Sequence, residues 1–463
     1  MERLQTEQLT EQEMLELESC YCSYGDTVHY SERPVIFDGC EGSWLYDMQG
    51  TPYLDVQMWY SAVNFGYRNR DIEEAHNRQM NRLPQVASQY LHKEKILLAA
   101  NIAKETEKRF GSKGRVHFNV GGAQAVEDSI KLVRNFKKGK SLMFAFMGGY
   151  HGRTLAATEI TSSFRYRKRY GHFGNRATFI PYPYCYRCFY GKDFKTCEYE
   201  CVRQFEKLFE TEYYGVIDAK ESEVEYAAFF VEPVQATGGY IIPPPEYFAR
   251  LAEVLTKHGI LLIDDEIQMG FYRTGRLWAL EHFGVKPDVI AFAKSLTNGL
   301  NPLSGIWARE ELINPKMFPP GSTHSTFSSN PLGTAAGLAT MELLNKYDFA
   351  KMANEKGRYL VSLLKDLQKE HDVIGNVDGL GLAVRIEMTT SDGFTPDKKL
   401  TDTIFQEGMK GNIAINGKKY GLVLDVGGYY KNVFTLAPAL TITYEEMDLF
   451  IRLFESLLHR CGV

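Results

Sequence analysis

From about residue 115 the chain alternates apolar runs of strand length with amphipathic stretches of helix length, and this alternation limits the fold more than any other feature. RVHFNV reads as a strand, and AQAVEDSIKLVRNF as the helix after it, with Val126, Ile130 and Val133 on one face. SLMFAF, YAAFFVEPV, GILLIDDEI, DVIAFA and LSGIWA continue the series. The helix EYFARLAEVLTKHG, opened by the prolines at 243 to 245, lies between two of them. Such runs suit strands covered on both faces, so the pattern predicts an α/β domain built on a mainly parallel sheet. The last third differs. FAKMANEKGRYLVSLLKDLQKEH and TYEEMDLFIRLFESLLHR are long amphipathic helices, with short strand candidates around GLAVRIEM and NVFTLAPAL between them. Thr443 with Glu446 caps the last helix, whose apolar face carries Phe450, Ile451, Phe454, Leu457 and Leu458; Thr10 with Glu13 caps a short opening helix. The expected organisation is an N-terminal segment, 1–60, packed onto a smaller α+β domain, 326–463, with a large α/β domain, 61–325, between them.

Charge and composition remove several classes of function. The chain has 463 residues, and its 53 basic and 58 acidic side chains leave a net charge of -5. That balance argues against a broad nucleic-acid surface. No apolar run approaches the roughly 18 residues of a membrane span. The acidic opening MERLQTEQLTEQEMLELES lacks the basic-then-apolar layout of a secretion signal, so a cytoplasmic location is expected, without membrane or nucleic-acid partners. Of the eight cysteines, Cys185, Cys188, Cys197 and Cys201 form a C-x2-C and C-x3-C pair that could wrap one structural zinc. The alternative is a surface insertion with reduced thiols, and no catalytic metal is expected.

Ligands of open α/β sheets bind beyond the carboxyl ends of the strands. GILLIDDEI ends in Asp264, Asp265 and Glu266, with Gln268 following, and buried carboxylates there call for a cation or a ligand. DVIAFA runs straight into Lys294, which can serve as a Schiff-base nucleophile; taken singly, Lys294 could instead snorkel to solvent and Asp265 cap a helix. NVGGAQAVEDSIKL sets a Gly-Gly turn before a helix, where backbone N–H groups can hold a phosphate. In MGGYHGRT, Tyr150 or His151 offers a ring to stack on a flat ligand. Anion site, stacking ring, buried carboxylate and reactive lysine together match the needs of pyridoxal phosphate.

With these residues in place, the sequence resembles the class III, or ω-type, pyridoxal-phosphate aminotransferases of fold type I. LLIDDEIQMGFYRTG and PDVIAFAKSLTNGLNPLSG carry the resemblance, and YHGRT, VEPVQATGG and STHSTFSSNPLG follow the expected order over nearly the whole chain. The resemblance implies that Lys294 forms the Schiff base and shuttles the proton. It also implies that Asp265 holds the pyridinium nitrogen and Gln268 the phenolic oxygen. Ile267 would pack under the ring and Tyr150 stack above it. Gly122 and Ala123 would give backbone donors to the phosphate, Thr326 would reach that phosphate from the partner subunit of a homodimer, and Glu232 would belong to the hydrogen-bond web behind the cofactor.

Departures from the family pattern narrow the substrate. Ala123 and Gln124 stand where a hydroxyl residue and Glu are usual, which puts one phosphate hydrogen bond in doubt. Thr435 stands at the place of the arginine that grips a substrate carboxylate, and Thr237 at the place of the glutamate that neutralises this arginine. Losing both is electrostatically self-consistent. The expected substrate is therefore not glutamate or 2-oxoglutarate bound in the usual manner. It is an amine, an amino sugar, an acyl-chain aldehyde or an amino acid held by another group. Trp59 and Tyr60 are candidate pocket walls, with core packing as the alternative. The implied reaction moves an amino group from a small-molecule donor to a carbonyl acceptor. Racemase, epimerase, aminomutase or decarboxylase chemistry on the same cofactor is the alternative, and a non-catalytic scaffold is the second.

Overall fold

A computed structural model describes residues 9–170, 177–218 and 220–463. Residues 1–8, part of the expected N-terminal segment, lie outside the described residues. The central sheet has seven strands in the order Gly114–Asn119, Ser304–Arg309, Val289–Phe292, Leu261–Asp265, Tyr226–Val231, Leu142–Phe146 and Ala177–Ile180. Ser304–Arg309 runs antiparallel to both neighbours and the other six strands run one way, so their carboxyl ends share an edge. Six of the seven strands coincide with the apolar runs read from sequence. Ala177–Ile180 was not anticipated, because four residues at a sheet edge with Thr178 among them give little apolar signal.

Side chains of each strand alternate between the two faces, and both faces are dry. On one side Ala228, Phe230, Ile263, Val289 and Ala291 meet Val126, Ile130 and Val133 of the helix Gly122–Phe136. On the other, Phe229, Leu262, Ile290 and Phe292 join a core that includes Phe248, Leu251 and Leu255 of the helix Tyr247–Lys257. Each fully buried side chain of this kind stabilises the fold by about 1.5–3 kcal/mol, so the interlayer contacts hold these helices more firmly than local propensity does.

A four-stranded antiparallel sheet contains Ile374–Leu380, Ala383–Met388, Val433–Leu436 and the short Val426–Gly427. The helices Phe349–Glu370 and Tyr444–Arg460 pack against it, with Phe454 edge-on to Phe434 at 5.6 Å. Both capping boxes form as expected, at Thr10/Glu13 and Thr443/Glu446. A further sheet joins the two ends of the chain: Pro52–Asp55 pairs in parallel with Lys418–Val423, setting Tyr53 opposite Gly421.

Candidate active site

The common edge of the six parallel strands gathers the chemistry. Asp265 ends its strand opposite Ala291, and Lys294 stands two residues beyond the neighbouring strand. Lys294 has φ 45°, a region sparsely used by non-glycine residues, so the backbone leaves the strand in a sharp turn. Its Nζ donates to Gln268 Oε1 at 2.9 Å, and Gln268 Nε2 donates to Tyr240 Oη at 2.9 Å. Burial lowers the Lys294 pKa to about 8, against the opposing pull of Asp265, Glu232 and Asp425. An amine at that value is partly neutral near physiological pH, as a Schiff-base nucleophile requires.

Behind Asp265 lies His151, whose Nδ1 stands 2.7 Å from Asp265 Oδ2, while the Ile267 N–H donates to Oδ1 at 3.2 Å. Burial alone would lower the His151 pKa. The Asp265 hydrogen bond and the charges of Asp265 and Glu232 outweigh it, and the net shift is upward. The Asp265–His151 contact favours the protonated imidazole, which would stand as a cation behind the carboxyl group. His151 is thus not a stacking ring: it is buried, edge-on to Phe230 at 5.9 Å, and turned toward Asp265. Tyr150 is the half-buried ring of the pair, with Tyr166 at 5.4 Å. Burial raises Glu232 to about 7, with His151 opposing, and its two oxygens accept the N–H groups of Tyr150 and Ala236 at 2.8 and 2.9 Å.

The Gly-Gly turn forms as expected, with Gly121 as N-cap of Gly122–Phe136. Gln124 Oε1 accepts the Gly121 N–H at 3.1 Å, and Ser304 donates to the Gly121 carbonyl at 2.8 Å. Among the described residues the N–H groups of Gly122 and Ala123 meet no acceptor, leaving two donors at a helix start for an anion. Ile267 packs against this turn: a β-carbon on Gly122 would lie 3.1 Å from its Cδ1. Lysine, histidine-backed carboxylate, apolar shelf and open N–H pair fit pyridoxal phosphate. Thr326 is exposed, beside exposed Phe327.

Beside the turn after Lys294, Met58, Trp59, Tyr60 and Ser61 all have φ between 46° and 63°, one left-handed turn without glycine. Asp55 accepts the Gln57 and Met58 N–H groups at 2.8 and 2.7 Å, and Arg273 donates to Ser61 Oγ at 2.9 Å. Trp59 is 56% exposed rather than core, and its ring covers the turn after Lys294: a β-carbon on Gly299 would lie 3.0 Å from it. Tyr60 is partly buried and has its hydroxyl pushed up to about 12 by burial and by Asp425. Thr237 and Thr435 are neighbours across Gly427, where a β-carbon would lie 3.2 Å from Thr435 Cγ2 and 3.5 Å from the Thr237 carbonyl. The sequence reading missed Asp425, which accepts the Thr435 hydroxyl. It sits two residues past an apolar strand, and the strand-end rule that found Asp265 applies to LVLD equally well.

The four clustered cysteines are free thiols, and no three of them bring their sulfurs within 4.8 Å of one another. A tetrahedral zinc with Zn–S of about 2.3 Å needs sulfurs roughly 3.8 Å apart, closer than any three of these thiols stand, although Cys188 and Cys197 act on Cys185, and Cys185 and Cys197 on Cys201. Among the described residues that criterion is met by His371, Glu455 and His459. No helix among them is long and apolar enough to cross a membrane.

Fold and site together define a pyridoxal-phosphate enzyme of fold type I. The chain belongs to the class III aminotransferases, which it matches over residues 27–458. It is 32% identical over 419 residues to a leucine/methionine racemase of Thermococcus litoralis, covering 90% of this chain and 88% of the relative. It is 29% identical over 435 residues to the diaminobutyrate–2-oxoglutarate aminotransferase of Haemophilus influenzae, covering 91% and 90%. An amine transaminase from an uncultivated Pseudomonas species, solved in its PLP-bound form, superposes with a TM-score of 0.83 at 26% identity, covering 96% of this chain and 98% of that one. The protein is a PLP-dependent aminotransferase that moves amino groups between small amines or amino acids and carbonyl compounds.

Proposed function

We propose that Lys294 is the Schiff-base and proton-transfer residue, and that Asp265, backed by His151, holds the ring nitrogen's proton. The observation that carries this reading is the placement of the Lys294–Gln268 and Asp265–His151 pairs at one sheet edge. Bound pyridoxal phosphate supplies an electron sink that labilises a bond at the substrate's amino-bearing carbon. Lys294 Nζ, held partly neutral by burial, would take a proton from that carbon and deliver it again. Gln268 steers Nζ; Tyr150 and Ile267 bracket the ring; the Gly122 and Ala123 N–H groups hold the phosphate. Trp59, Tyr60, Thr237 and Thr435 line the substrate side.

The proposed assembly is a homodimer in which Thr326 completes the phosphate site of the other subunit. Exposed Tyr90, Leu91, Ile96 and Phe327 supply apolar surface for it, since Ser88 and His92 contact His324 and the Ser329 carbonyl. The proposed division is 1–60 with 326–463 around the large unit 61–325. Free thiols at all eight cysteines suit a cytoplasmic location.

The test is to mix holoenzyme with amino donors without acceptor and follow the cofactor's absorbance. Stoichiometric loss with release of the carbonyl product supports transamination. Persistence of the absorbance with deuterium exchange at the donor's α-carbon supports the second reading, racemisation, which the 32% identity to a racemase favours.

A further inference from the structure

Asp425 is a carboxylate on the substrate side that the family pattern did not lead one to expect. It follows the strand Lys418–Val423 and is half-buried. Its carbonyl accepts the Thr435 N–H at 3.1 Å and its carboxylate accepts the Thr435 hydroxyl, so the next strand aims the side chain. The Val56 N–H donates to the Val423 carbonyl at 3.2 Å, which sets Asp425 beside the left-handed turn whose Trp59 ring covers the turn after Lys294. The Asp425 charge acts on Lys294, on Tyr240 beside Gln268, and on Tyr60 in the left-handed turn. Gln57, just before that turn, also acts to lower the Asp425 pKa.

Among the described residues no salt bridge reaches this carboxylate, although Lys431 and Lys294 are near enough to act on it. Thr237 and Thr435, across Gly427, bring no charge. Arg153 and Arg165 lie over the Tyr166 ring at 4.6 and 4.5 Å. Lys431 is near enough to be affected by Asp425, yet among the described residues it makes no ion pair with it. Burial pushes the Asp425 pKa up, while Thr435, Lys431, Gln57 and Lys294 pull it down. A partly desolvated carboxylate in a cleft attracts a cationic group and repels an anionic one. Where the family resemblance implies an arginine for a substrate carboxylate, the polarity of the subsite is reversed.

We infer that Asp425 determines specificity, selecting amino donors that carry a second ammonium or other basic nitrogen over donors that carry a carboxylate at that end. Thr435 is the positioning residue that aims it. The inference rests on the aminotransfer reading of the site, and its test separates the two.

Three donors of one chain length differ only at the far end: 1,4-diaminobutane, 1-aminobutane and 4-aminobutyrate. With wild-type holoenzyme the expected order of kcat/KM is diamine, monoamine, amino acid, with a factor of about 10 or more between first and last, equivalent to about 1.4 kcal/mol. In Asp425→Asn the diamine's KM should rise about tenfold at nearly constant kcat, and the three donors should converge. Calorimetry of diamine and 4-aminobutyrate binding to enzyme loaded with pyridoxamine phosphate, which has no aldehyde for an amine to attack, reads the same preference without chemistry. A wild-type preference for 4-aminobutyrate in either measurement, or an unchanged preference in a folded, cofactor-loaded Asp425→Asn, overturns the inference. If no donor is converted, the aminotransfer reading fails and calorimetry alone decides the role of Asp425. If Asp425→Asn does not fold, the wild-type comparison decides it.

Discussion

Asp264, Asp265 and Glu266 are consecutive carboxylates with different fates. Asp265 is paired with a histidine, whereas among the described residues both Asp264 oxygens are buried without a hydrogen-bond donor. Burial, with Glu266 beside it, raises Asp264 well above the ordinary range; burial raises Glu266 to about 8, against the Leu280 N–H at 2.9 Å. The folded chain therefore keeps protons that the unfolded chain releases, so this pair's contribution to stability is lost as pH rises through about 8. Asp264→Asn, which removes the charge but not the shape, should stabilise the protein by about 1–3 kcal/mol at alkaline pH and by less in mild acid, read by denaturant unfolding at both. Lys294 titrates the other way: in cofactor-free protein, Schiff-base formation with added pyridoxal phosphate should rise with pH around a midpoint near 8, and Lys294→Ala should abolish it. Lys294 and Asp265 were legible in the sequence because each ends an apolar run. The role of His151 was not, since residue type does not reveal which way a ring turns. Asp425 escaped because its strand lies far along the chain from the sheet that defines the site.

At the scale of elements, the turn Met58–Ser61 carries unusual strain. Left-handed conformation costs about 1–2 kcal/mol per non-glycine residue, and nothing in M-W-Y-S announces it. The cost is offset by tertiary bonds, chiefly from Asp55, which also accepts the Tyr67 hydroxyl at 2.7 Å. Asp55→Ala should cost about 2–4 kcal/mol of stability and release Trp59 from the Lys294 turn, seen as lower Cm and greater quenching of Trp fluorescence by iodide. The long helices and buried strands were legible because their periodicity is their packing. The turn and the strand Ala177–Ile180 were not, because tertiary contacts impose them on residues with no matching local preference.

At the scale of the molecule, the proposed sharing of a site between subunits makes a prediction that a self-contained site cannot. Thr326→Ala should weaken cofactor binding by roughly 10- to 100-fold, the worth of one hydrogen bond to a charged group. Mixed with inactive Lys294→Ala and allowed to exchange subunits, it should regain activity beyond that of either parent, because one site in each mixed dimer is intact. No gain after exchange, shown by light scattering to have occurred, would place Thr326 in its own subunit's site.

The parallel pairing of Pro52–Asp55 with Lys418–Val423 has a consequence for biosynthesis. Asp55 starts the strained turn beside Lys294, yet its strand has no partner on that edge until more than three hundred further residues have left the ribosome. The central sheet can assemble during translation; the substrate side cannot. A release or stall before about residue 420 should therefore yield a chain with a formed central layer and an unformed Trp59 turn, detectable as protease cleavage near that turn.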